Sequence, residues 1–170
     1  MSTSTERIAE GLERAMQAET EGYYFYKMAA QSTADAKGRQ TFEDLAQEER
    51  EHFEFLRDQR RAVQKSGAPD AQRTLGKPRR FTGDHPIFSE EIQKRVGSAH
   101  YEMTALAIGI QLELSSIRFY REEAEAVEDA AAQAFYRDLA EWEQGHLSLL
   151  QRQADALKEE YWHAAHFAPF

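Results

Sequence analysis

Two sets of a glutamate followed by a Glu-x-x-His recur in the chain at one fixed spacing. Glu19 precedes Glu49 and His52, and Glu113 precedes Glu143 and His146. Each member of the second set lies 94 positions after its counterpart (19 to 113, 49 to 143, 52 to 146). In a helix, positions three apart share a face, so each Glu-x-x-His can present a carboxylate and an imidazole to the same point. Imidazole with carboxylate suits iron or manganese, and zinc fits without redox chemistry. The charge balance favours a pair of ions. Four glutamates carry −4, two divalent cations carry +4, and oxidation to the trivalent state leaves an excess that a bridging oxide, hydroxide or peroxide can balance.

The ungapped match extends well beyond these six residues. Residues 19–59 and 113–153 also agree at Phe25/Phe119, Tyr26/Tyr120, Asp35/Asp129, Asp44/Asp138, Leu45/Leu139, Leu56/Leu150 and Gln59/Gln153. This is an internal duplication of a helix pair. A third Glu-x-x-His, Glu160/His163, lies outside the repeat and reads as an accident of a glutamate-rich chain. Tyr26 and Tyr120 lie two turns beyond Glu19 and Glu113. There they can hydrogen-bond ligand carboxylates across a bundle or relay an electron, or they can simply be core tyrosines. Asp44 and Asp138 are candidate partners for the imidazoles or for surface ion pairs. His85, His100, His163 and His166 have no duplicate and read as structural or solvent-exposed.

Apolar periodicity places these residues on four helices. The first runs from about Ser4 to Ser32–Asp35, with the stripe Ile8, Leu12, Ala15, Glu19, Gly22, Tyr26, Ala29. The second, about 36–64, carries Phe42, Leu45, Glu49, His52, Leu56. Its outward positions, Glu48, Arg50, Glu51, Glu54 and Arg57, read as a solvated face. The third, about 97–127, carries Met103, Leu106, Ile110, Glu113, Ile117, Tyr120, Ala124. The fourth, about 130–161, carries Phe135, Leu139, Glu143, His146, Leu150, Leu157. Steps of three and four are bundle periodicity, and the ionisable residues fall in register with the core rather than on the wet face. Between the helix pairs, 4–65 and 97–161, the crossover 66–96 is broken by Gly67, Pro69, Gly76, Pro78, Gly83 and Pro86, with a short helical entry from Ser89. Thirty helical residues span about 45 Å, and the stretch from Ser66 to Phe88 alone reaches roughly 75 Å when extended. The chain can therefore return along the bundle and start the third helix parallel to the second. The expected fold is all-α: a ferritin-like four-helix bundle with a long crossover, in a single domain over 1–170. The aromatic tail from His163 to Phe170 is expected to fold back onto the bundle or a second subunit.

Bulk properties exclude several classes. Thirty acidic against 21 basic side chains give a net charge of −9, which argues against nucleic-acid binding. The absence of cysteine removes disulfides, cysteine-ligated zinc and a four-cysteine iron centre. No apolar run approaches the ~20 residues that span a bilayer, and Met1 to Glu10 lacks the character of a signal peptide. A cytoplasmic location without membrane association is expected.

The segments Glu19-Thr-Glu-Gly-Tyr-Tyr-Phe-Tyr26, Leu45-Ala-Gln-Glu-Glu-Arg-Glu-His52, Glu113-Leu-Ser-Ser-Ile-Arg-Phe-Tyr120 and Leu139-Ala-Glu-Trp-Glu-Gln-Gly-His146 resemble the rubrerythrin branch of the ferritin-like superfamily, over roughly residues 4–161. The resemblance implies a carboxylate-bridged pair of iron ions that reacts with hydrogen peroxide or dioxygen, an external electron donor, and a homodimer whose helices can be exchanged. It also marks two departures. The rubredoxin domain that usually follows the bundle is missing from this sequence. The extra glutamate that rubrerythrins carry three residues after the third-helix ligand is Ser116 here, and its counterpart on the first helix is Gly22. The remaining four-Glu, two-His set is shared with bacterioferritins. The leading expectation is a peroxidase or ferroxidase with Glu19, Glu49, His52, Glu113, Glu143 and His146 as metal ligands. The alternatives are an iron-binding or storage protein without sustained turnover and a metal-free interaction module. The last must bury four uncompensated carboxylates.

Overall fold

The computed structural model describes residues 4–76, 87 and 100–164, with side chains to residue 159. Four helices form there: α1 (Ser4–Ser32), α2 (Ala36–Ser66), α3 (His100–Ala126) and α4 (Ala130–Ala164), with no strand among the described residues. This is the expected all-α, ferritin-like bundle. The short entry from Ser89, the expected start of α3 at 97 and the tail after 164 lie outside the described residues. Helix α4 runs past the expected 161 because nothing in Tyr161-Trp-His-Ala164 breaks a helix.

The duplicated residues act alike in the two helix pairs. Asp35 caps α2 by accepting from the Gly38 N–H at 2.8 Å, and Asp129 caps α4 by accepting from the Ala132 N–H at 2.9 Å. Each such cap satisfies a backbone donor that the first turn leaves orphaned. At the far end of α2, Gly67 takes the left-handed conformation (φ 79°) and its N–H closes on the Val63 carbonyl. Thr5 Oγ1 donates to the Gly67 carbonyl at 3.1 Å, tying the start of α1 to the end of α2.

Two apolar layers hold the helices together, and together they fix the chain directions. One layer joins Ile8, Leu12 and Ala15 of α1 to Phe55, Leu56 and Val63 of α2, Tyr120, Ala124 and Val127 around the end of α3, and Phe135, Tyr136 and Leu139 of α4. The other joins Tyr26, Ala29 and Ala30 to Phe42 and Leu45, Ala105 and Leu106, and Leu149, Leu150 and Leu157. Thus α2 and α3 both run from the second layer to the first, while α1 and α4 run the other way. The parallel crossover is therefore present. On α3 the buried positions near the start are Glu102, Ala105, Leu106 and Gly109. Met103 and Ile110 are only half-buried, at the layer's edge.

The duplicated glutamines pin the two ends of that crossover. Gln59 donates to the Asp70 and Arg73 carbonyls (3.1 and 3.2 Å) and accepts from the Asp70 N–H at 2.8 Å. Gln153 accepts from the Ile87 N–H at 2.8 Å, and Ile87 is buried in the second layer. Gln153→Ala strands that buried donor. The expected cost is about 1–3 kcal/mol in urea denaturation, with faster proteolysis between residues 77 and 99; an unchanged midpoint would show that the anchor contributes nothing.

Candidate metal centre

Midway between the two apolar layers the stripes turn polar on all four helices at once. Glu19, Glu49, His52, Glu113, Glu143 and His146 are each at most 4 % exposed. Their donor atoms converge in two overlapping groups. Glu19, Glu49, His52 and Glu143 form one, and Glu49, Glu113, Glu143 and His146 the other, each with its atoms within 4.8 Å of one another. Glu49 and Glu143 belong to both groups. All six residues singled out in the sequence are thus brought together.

Both imidazoles present Nδ1 to the carboxylates. His52 Nδ1 lies 3.2 Å from Glu19 and 3.1 Å from Glu143. His146 Nδ1 lies 3.2 Å from Glu49 and 3.0 Å from Glu143. The two rings stack at 5.8 Å. The tyrosines complete a reciprocal exchange: Tyr26 of α1 donates to Glu113 of α3, and Tyr120 of α3 donates to Glu19 of α1. Both tyrosines thus make the cross-bundle hydrogen bond expected of them.

The sequence misplaces one residue. Glu48 does not belong to the solvated face; it is 1 % exposed and its Oε2 lies 2.8 Å from His146 Nε2. With Nδ1 facing the carboxylates, Nε2–H is the donor in this contact. A carboxylate behind an imidazole in this way fixes both its tautomer and its ring plane. Asp44 and Asp138 do not play this part. Asp44 accepts from Gln40 on an exposed face, and Asp138 is half-buried with Glu141 as its charged neighbour. The counterpart of Glu48 after 94 positions is Trp142, whose ring meets His52 edge-on at 5.1 Å. His52 Nε2 has no hydrogen-bond partner among the described residues. The seven-residue step from Glu48 to buried Phe55 is the signal that places both on the inner face.

The electrostatics are those of negative charge crowded into a dry core. Burial, reinforced by Glu143 and Glu19, pushes the Glu49 carboxyl well up. Burial and Glu143 push Glu113 up to about 8. Burial also acts upward on Glu143, but His52 and His146 overcome it and hold that carboxyl below the usual range. Burial lowers both imidazoles, and the surrounding carboxylates more than reverse it, so both are raised. Glu49 Oε1 and both Glu143 oxygens, all buried, accept no well-formed hydrogen bond. Carboxylate oxygens crowded together around only two imidazole donors are what a pair of cations would satisfy.

A family model described as Rubrerythrin matches residues 10–154. The chain belongs to the rubrerythrin family. No curated protein and no solved structure matches it. Rubrerythrins are a ferritin-like di-iron family, and the convergent Glu/His cluster of this rubrerythrin is compatible with a di-iron site. None of the helices is long and apolar enough to cross a membrane among the described residues. At Gly22 and Ser116 a cavity of about 250 Å³ opens between α1 and α3, floored by Glu49, Glu113 and Tyr26 with Arg14 and Glu21 at its mouth. Small side chains at these two positions leave that space open.

Without metal, the raised groups set the pH dependence of stability. Folded Glu49 and Glu113 retain protons that an unfolded chain releases above its value of 4.5, and the imidazoles retain theirs above 6.5. Folding therefore takes up protons, and stability falls as pH rises through the folded values. Glu143 acts oppositely, its contribution being lost on acidification. The metal-free protein should melt at a lower temperature at pH 8 than at pH 5, with the loss steepening above about 6.5, where the imidazoles add to the carboxylates. A flat or rising profile would show that these carboxylates do not fold protonated.

Proposed function

We propose that this chain is a di-iron oxidoreductase that reduces hydrogen peroxide or dioxygen as its metal pair is oxidised, with electrons returned by an external donor. The observation that carries this reading is the pair of overlapping ligand groups sharing Glu49 and Glu143. Glu19 and His52 would hold one ion, Glu113 and His146 the other, and the shared carboxylates would bridge them. Manganese fits the same donors, as does zinc without the redox chemistry.

The bound pair would supply redox equivalents and Lewis acidity. The chain's own residues do the rest. Tyr26 and Tyr120 fix the carboxylates of Glu113 and Glu19 by donating to them, leaving the other oxygen of each free to turn inward. Glu48 holds the His146 ring with Nδ1 facing the cluster. The two apolar layers exclude water from both ends of the bundle, so a small oxidant enters from the side, through the cavity at Gly22 and Ser116.

Metal analysis of protein purified without chelator, followed by stopped-flow mixing of the ferrous form with peroxide or dioxygen, tests the reading. Two ions per chain and oxidation within seconds are expected. Metal content still near two after both His52→Ala and His146→Ala would sink the ligand assignment, and prompt iron uptake into large assemblies with no turnover would favour storage. The carboxylate behind His146 gives a finer check. Glu48→Gln should weaken binding of one ion about 10–100-fold and leave the other nearly unchanged, read by titrating the metal-free protein with Co(II) and following its absorption. Equal weakening of both ions, or of neither, would separate Glu48 from the centre.

A further inference from the structure

The two halves of the bundle differ beside the duplicated tyrosines. Tyr26 stacks on Phe42 with ring centroids 6.2 Å apart, and Tyr120 stacks on Tyr136 at the same 6.2 Å. Phe42 and Tyr136 are counterparts in the 94-residue repeat, so one half carries a phenol where the other carries an inert ring. The second half is also polar further out. Glu123, 4 % exposed, stands where its counterpart is Ala29.

Tyr136 Oη and Glu123 Oε2 are both buried and neither has a hydrogen-bond partner among the described residues. They approach one another over Gly11: a Cβ there would lie 2.5 Å from Tyr136 Oη and 2.7 Å from Glu123 Oε2. The missing side chain thus makes the space in which a phenol faces a carboxylate. The other oxygen of Glu123 pairs with Arg14 and lies 4.0 Å from Arg7, and both arginines reach solvent. Polar and aromatic groups therefore run without interruption from Glu19 through Tyr120, Tyr136 and Glu123 to the surface at Arg7 and Arg14. In the other half, Phe42 and Ala29 close the equivalent route.

We infer that Tyr120 and Tyr136 form a one-electron relay between the metal centre and the Arg7–Arg14 surface, with Glu123 as the proton acceptor of Tyr136. The inference rests on the oxidoreductase reading above. Reduction of hydrogen peroxide to two waters consumes two electrons and two protons, and when the metal pair is already oxidised those electrons must come from outside it. Tyr120, oxidised by one electron towards the centre, passes its phenolic proton to Glu19, the carboxylate it is hydrogen-bonded to, and recovers it when Tyr136 refills it with an electron. The Tyr136 phenolic proton passes to Glu123 as the electron leaves, because the oxidised phenol is strongly acidic. A one-electron donor at the surface then reduces Tyr136, which recovers the proton from Glu123. Each passage moves one electron inward and leaves both tyrosines and Glu123 as they began. The two arginine side chains at the surface end offer contacts to a small anionic one-electron donor such as ascorbate. Burial and the Glu123 charge hold the Tyr136 hydroxyl above its ordinary value, so it remains a phenol until it is oxidised.

The test uses the iron-loaded chain mixed with excess hydrogen peroxide, freeze-quenched for electron paramagnetic resonance, with ascorbate added in a second mixing step. Wild type should show a tyrosyl radical that ascorbate removes rapidly. Tyr136→Phe should shift the radical to the fully buried Tyr120, with a changed line shape and removal by ascorbate at least tenfold slower. Glu123→Gln keeps the shape of the acceptor but not its basicity, and should do the same with Tyr136 still present. Metal content and the ferric absorption of each variant report on the centre separately. If two irons bind and oxidise normally but no radical forms, or if line shape and ascorbate decay are the same in wild type and Tyr136→Phe, the relay is wrong and the centre stands. If the irons do not bind as a pair, the oxidoreductase reading fails first.

Discussion

Four carboxylates and two imidazoles sit in the middle of a helical core, and the rest of the structure is arranged around the cost of keeping them there. An isolated ionised carboxylate is strongly disfavoured in such a place. No lysine or arginine reaches the cluster to offset the charge among the described residues. Part of the strain is relieved by protonation, with Glu49 and Glu113 pushed up and the imidazoles holding their protons between the carboxylates. The two apolar layers must supply the stability that the middle does not. They do so from opposite ends, each drawing side chains from all four helices. A bundle with one continuous apolar core would be easier to stabilise, but it would have no place for ions.

The duplication makes this arrangement economical to specify. One helix pair with a polar break in its stripe, repeated, yields two half-sites that complete one another. Neither half is self-sufficient: Tyr26 supports a carboxylate of the second pair and Tyr120 one of the first. The reciprocal bonds tie the pairs across the α1–α3 contact, where helix packing is thinner than within either pair. Inside the cluster the symmetry holds closely. One step further out it fails, with Glu48 against Trp142 around the imidazoles and Phe42 against Tyr136 around the tyrosines. Donor identity is constrained by the shared cluster, whereas the residues behind the donors can diverge without unmaking it.

That division explains what could be read from the sequence. The six donors, both tyrosines, both aspartate caps and both crossover glutamines are duplicated, and a repeated residue in a repeated helix carries a repeated role. The bundle and its parallel crossover followed from stripe period and loop reach. Glu48 is not legible in this way because its counterpart is a tryptophan, and because a stripe one residue wide on α2 leaves it outside. Packing against both α1 and α4 buries a broader face, with Glu48 and Phe55 inside it beside the Leu45–His52 line. The Tyr136–Glu123 pair was hidden for a related reason. It joins residues of two helices above a glycine of a third, and no period along one helix can show that.

The site also has two unlike flanks, and their difference follows from residue size. On the α2 and α4 flank, Glu48 and Trp142 back the two imidazoles directly and close that side with buried side chains. On the α1 and α3 flank, Gly22 and Ser116 withdraw from the carboxylates and leave the cavity. At Gly22 the void is shallow, since a Cβ would lie 3.0 Å from a Glu49 oxygen. A larger residue there would press on a carboxylate that both ligand groups share. Ser116 faces no such limit on the evidence of the same cavity, which makes it the position where the opening can be narrowed without moving a donor. The rigid flank therefore holds the imidazoles while the open flank faces the carboxylates. In the di-iron reading proposed above, a carboxylate on the open flank has room to move, and an imidazole backed by a buried side chain has none. The cavity thus lies on the carboxylate side of the cluster and the close packing on the imidazole side.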